Sequence, residues 1–154
     1  MRATVSFLTA VVMVFTATGC GVRKLLKVKR PSAQVTSVSV LSQSAEGVRV
    51  EVVVNMSNPN QTPLPLLRSQ YRLTVDDVGS FEMTDALHRT LPAGGRQVVT
   101  LPAVFEAAGV SLTGTRYTIA GSITYVPPGQ IRKLLTESSI PLPSVPFQAA
   151  GQLE

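Results

Sequence analysis

The stretch Val48-Arg49-Val50-Glu51-Val52-Val53-Val54-Asn55-Met56 decides the fold of this chain. Apolar side chains at 48, 50, 52, 54 and 56 alternate with Arg49, Glu51 and Asn55, and a period of two places one set on each face of a half-buried strand. The pattern predicts a central strand. Upstream, Val35, Val38 and Val40 mark a strand from Gln34 to Leu41, and the turn Ser44-Ala45-Glu46-Gly47 joins the two as a hairpin. Downstream, Tyr71, Leu73 and Val75 alternate with Arg72 and Thr74, and Asp76-Asp77-Val78-Gly79 reverses the chain into a short return strand at Phe81 and Met83.

A loop, Leu91-Pro92-Ala93-Gly94-Gly95, precedes a strand from Arg96 to Phe105, and Tyr117, Ile119, Gly121 and Ile123 mark a later one. Glu106 to Leu112 is the one segment expected to form a helical turn, while Ile131 to Thr136 stands out as basic and apolar. From Ser139 to Leu153 the chain reads as extended. Pro141, Pro143 and Pro146 cannot donate to a ladder, which places this stretch at a sheet edge or in a strand broken by a bulge. Short strands at spacings near ten residues define an all-β class: an antiparallel immunoglobulin/fibronectin III-like β-sandwich of about seven strands.

The amino-terminal part has another character. Arg2 precedes the apolar run Val5 to Phe15, which is about half the ~20 residues a membrane-crossing helix needs. It ends in Ala17-Thr18-Gly19-Cys20, with the only cysteine of the chain directly behind small residues. The arrangement resembles the lipobox of bacterial lipoproteins, with Ala17 where leucine is usual. Ala17, Thr18 and Gly19 would be read by the signal peptidase, and Cys20 would become the amino terminus bearing diacylglycerol and an N-acyl chain such as palmitate. The expected organisation is a signal peptide at 1–19, a lipidated basic tether at 20–32 and a sandwich domain at 33–154.

Charge follows the same division. Of the 14 basic residues, Arg23, Lys24, Lys27, Lys29 and Arg30 lie in one run behind Cys20, and from Pro31 onward eight Lys and Arg face nine Asp and Glu. The basic balance therefore belongs to the tether, which removes the case for nucleic acid. The run reads either as a solvated linker or as a contact with anionic headgroups, where each basic side chain contributes about 1 kcal/mol. It also opposes export, because basic residues flanking an apolar segment tend to stay in the cytoplasm. An uncleaved signal anchor is the reading that follows from it.

Catalytic and metal chemistry finds few residues to use. His88 is the single histidine, set in a predicted loop with no Gly-x-Ser-x-Gly elbow, and Gly94-Gly95 lacks the Lys and Ser/Thr of a phosphate loop. Asp76-Asp77 suits a turn better than an ion cage. The expectation is a protein without enzymatic activity, metal or cofactor. Asn58-Pro59-Asn60 follows the central strand; proline fixes φ and asparagine side chains bond the local backbone, so this segment should end the strand and set the start of the next.

Several segments in order resemble the WHy (water stress and hypersensitive response) domain of the type-2 late embryogenesis abundant family. They are Val54-Asn55-Met56-Ser57-Asn58-Pro59-Asn60, Pro63-Leu64-Pro65-Leu66, Tyr71 to Val75, Leu91 to Gly95, Tyr117 to Gly121, and Ile140-Pro141-Leu142-Pro143 with Phe147 to Gly151. The resemblance covers nearly all of 33–153. It implies an immunoglobulin-like sandwich without catalytic residues, and desiccation or stress tolerance as the role. The expected protein is lipid-anchored at the cell envelope, facing the periplasm, with the outer membrane preferred because Gly21 replaces the aspartate of inner-membrane retention. Expected partners are the membrane and stress-exposed client or envelope proteins. The alternative is an envelope interaction or lipid-binding module docking to a partner complex.

Overall fold

The computed structural model describes residues 28–106, 109 and 111–154. Seven strands and one helix follow in the order β1 (Ser32–Ser44), β2 (Gly47–Ser57), β3 (Leu64–Val75), β4 (Gly79–Leu91), β5 (Arg96–Phe105), β6 (Arg116–Tyr125), α1 (Gln130–Glu137) and β7 (Ser144–Gln152). They form two antiparallel sheets, one of order β1-β2-β5 and the other β4-β3-β6-β7. The all-β sandwich expected from the sequence is the architecture found.

The quoted stretch is the centre of the first sheet. Val48, Val50, Val52, Val54 and Met56 have no exposure at all, and they face Tyr71, Leu73 and Ile119 of the other sheet within one core. Burying one such side chain is worth about 1.5–3 kcal/mol, which fixes the register, because a slip by one residue would bring Arg49 and Glu51 inward. Tyr71 links the sheets directly. Its hydroxyl, on β3, donates to the carbonyl of Pro102 on β5 and lies 3.5 Å from Met83 Sδ. Gly121 permits the packing around it: a Cβ there would lie 2.6 Å from the Gln70 carbonyl oxygen, 2.6 Å from Phe147 Cζ and 2.7 Å from Tyr71 Cβ.

Two expectations need correction, and one strand extends beyond its alternating part. The return strand is not short: β4 runs through thirteen residues to Leu91, so His88 is an exposed strand residue and not a loop residue. As an edge strand, β4 meets solvent on much of its surface and keeps Thr84, Asp85 and Ala86 exposed in succession, which hides the alternation. The helix found is at Gln130–Glu137, in the basic and apolar segment. Ile131, Leu134 and Leu135 recur at i, i+3 and i+4 there, whereas Glu106, Ser111 and Leu112 are non-helical and Gly109 is in a turn. Finally, β3 starts at Leu64, seven residues before Tyr71, with a bulge between Leu66 and Arg68 that breaks the period. The proline-rich end behaves as expected: Pro146 lies within β7, the edge of the second sheet, and Pro141 and Pro143 precede it.

Candidate functional site

Strand pairing gathers four connections at one pole. Ser32 lies beside Ser57 and Ser57 beside Arg96 in the first sheet, while Leu64 pairs with Leu91, Leu66 with Tyr125 and Thr124 with Ser144 in the second. The start of β1, the β2–β3 link, the β4–β5 loop and the excursion bearing α1 therefore share one end of the sandwich. The chain arrives there at Lys29.

Asn58-Pro59-Asn60 knits this end together. Asn58 is 1% exposed; its Nδ2 donates to the carbonyls of Thr62 at 2.8 Å and Pro92 at 3.0 Å, and its Oδ1 accepts from Asn60 N at 3.0 Å and Asn60 Nδ2 at 2.9 Å. Its backbone N–H reaches the Gly95 carbonyl, and Gly94 N–H the Asn60 carbonyl at 2.7 Å. Gly94 has φ of +60°, a conformation glycine takes without a Cβ penalty. Asn60 then holds the incoming chain: Lys29 N–H donates to its Oδ1 at 2.7 Å, and its Nδ2 donates to the Lys29 carbonyl at 2.8 Å. Arg30 Nη2 donates to the Ser144 carbonyl at 3.2 Å. The motif ends β2 as the sequence predicts, and it also fixes a segment that precedes it by 31 residues, a pairing that no local pattern encodes.

Charge is sorted between the two ends although its sum is near zero. Lys29, Arg30, Arg89, Arg96, Arg132 and Lys133 lie at or near the pole where the chain enters, with Glu137 among them. Toward the opposite end stand Glu46, Asp76, Asp77 and Glu106 with Arg49 and Arg116. Sequence counts miss this because antiparallel strands bring residues from distant positions to the same end.

The tyrosines all belong to the second sheet. Burial, reinforced by Asp85, pushes the Tyr71 hydroxyl up to about 12. Tyr117 and Tyr125 are raised by burial too; Glu154 adds to the first, and Arg30 acts in the lowering direction on the second. On the outer face of that sheet lie shallow open depressions lined by polar and small residues such as Gln70, Arg72, Thr118, Ala120 and Ser122, beside the exposed ion pair Arg72–Glu82. Among the described residues no three His, Cys, Asp or Glu side chains are placed to share a metal ion, and no helix is long and apolar enough to cross a membrane. Ala17, Thr18, Gly19, Cys20, Arg23, Lys24 and Lys27 lie outside the described residues.

The sheet orders define an immunoglobulin/fibronectin-type sandwich. Within that class the fold matches the solution structure of At2g46140.1, a protein assigned provisionally to the late embryogenesis abundant (LEA) group, with TM-score 0.62 and 18% identity over 84% of this chain and 74% of that one. It also matches the solution structure of AT1g01470 from Arabidopsis thaliana, with TM-score 0.55 and 16% identity over 82% of this chain and 83% of that one. At these identities the likeness is one of fold. No protein-family profile matches the sequence, and no curated protein does.

Proposed function

We propose that this chain is a non-enzymatic WHy-type protein, anchored by acyl chains on Cys20 to the periplasmic face of the cell envelope, which protects proteins or membranes when water is withdrawn. The observation that carries the reading is the clamp of Asn60 on Lys29, only nine residues after Cys20. Nine residues span at most about 30 Å, so a lipid on Cys20 would keep this pole of the sandwich close to the headgroups. The LEA-type fold supports the stress role. The mechanism differs from that of disordered hydrophilic protectants, because a chain that is 44% hydrophobic and 15% charged buries a core and acts through a preformed surface.

Two measurements test the proposal. The mass of the mature amino terminus should correspond to cleavage before Cys20 with three acyl chains attached. The purified lipoprotein at equimolar ratio should preserve the activity of a client enzyme through drying and rehydration; unchanged client loss would overturn the protective role, and an unmodified Cys20 thiol would overturn the anchor.

A further inference from the structure

α1 belongs to neither sheet. It packs extensively on no strand, and its end is closed by local hydrogen bonds: Ser138 N–H to Leu134, Ile140 N–H to Leu135 and Thr136 Oγ1 to Arg132. An isolated helix of eight residues is marginal in water, and Gly129 offers its first turn no side-chain cap. Ile131, Leu134 and Leu135 nevertheless form one apolar arc. Ile131 and Leu135 are half-buried, but Leu134 is 60% exposed. Ser139, at φ +53°, closes the helix in a Schellman-type turn that brings Ile140, 52% exposed, back beside the same end. Leu67, 42% exposed, sits in the β3 bulge at the same pole. Arg132 and Lys133 occupy the other side of the helix.

We propose that α1 and Ile140 form a second membrane contact, an interfacial helix that lays Leu134 and Ile140 into the headgroup layer of an anionic bilayer while Arg132 and Lys133 remain at the phosphates. The occupant follows from position and charge. The helix sits at the pole where Lys29, nine residues after Cys20 in the sequence, enters, and that pole is the basic one. The acyl chains already hold the protein at the surface, and a basic amphipathic helix beside them adds a second contact that sets its orientation on anionic lipid. The inference rests on the anchored reading given above. It adds an orientation: the long axis of the sandwich stands on the membrane, with the acidic pole outward.

The test uses the full lipoprotein. With Cys20 acylated, the variant L134C carries one free thiol, which takes an environment-sensitive fluorophore; T118C, on the outer face of the second sheet, is the control. In vesicles of phosphatidylethanolamine and phosphatidylglycerol the label on L134C should shift to the blue and be quenched by lipid-borne quenchers, while that on T118C stays aqueous. Adding R132E and K133E should return the L134C signal to the T118C level. A label on L134C as aqueous as the control, in protein whose Cys20 lipid is verified by mass, overturns the proposal alone. An unmodified Cys20 overturns the anchored reading and this proposal with it.

Discussion

Two connections at the same pole are built in opposite ways. The β2–β3 link, with the Pro92–Gly95 loop against it, is tied through the side chains of Asn58 and Asn60 to that loop and to the incoming chain. The β6–β7 excursion is held mainly by its own helix and turn. In the first, conformation is imposed by contacts distant in sequence, so it should melt with the whole domain. In the second it is local, and it should open at little cost to the core.

The sharpest way to break the contrast is Asn58→Ala. It removes four hydrogen bonds and leaves the Thr62 carbonyl and the Asn60 N–H without partners, while Pro92 keeps the Gly95 N–H, so a loss of about 3 kcal/mol is expected by denaturant unfolding. If the loss is under about 0.5 kcal/mol, as at ordinary surface positions, the link is no more integrated than the excursion.

Tyr71→Phe tests the sheet-to-sheet bond above that corner, with an expected cost of about 1–2 kcal/mol. A pH effect accompanies it. Burial pushes the folded hydroxyl up to about 12, above the usual tyrosine value near 10, so its contribution is complete below pH 10 and is lost as pH rises from 10 through 12. The melting temperature of the wild type should therefore fall more steeply than that of Tyr71→Phe across this window.

On the excursion, Ser139→Gly relieves a positive φ and should stabilise by about 1 kcal/mol, read as slower hydrogen exchange in α1. Leu134→Ser is expected to change global stability by less than about 0.5 kcal/mol, since the side chain is 60% exposed. A larger loss would mean the helix belongs to the core.

The sequence exposes the parts whose physics is local and periodic. Val48 to Met56 alternates because one face is dry, and Tyr71 to Val75 does the same. β4 blurs because an edge strand can keep polar residues on both faces, as Asp85 and His88 do. α1 escapes because eight residues give barely two turns. At the candidate site, Asn58-Pro59-Asn60 is legible as turn chemistry, but its hold on Lys29 and the sorting of charge between poles arise only from tertiary pairing.

The chain has three tyrosines and no tryptophan, and all three phenol rings are buried from one leaf of the sandwich. Its ultraviolet emission is thus a tag-free gauge of how tightly the two leaves stay apposed. A dried film can be followed optically through water loss and recovery, with no reporter attached and no contribution from the helix or from residues 1–27.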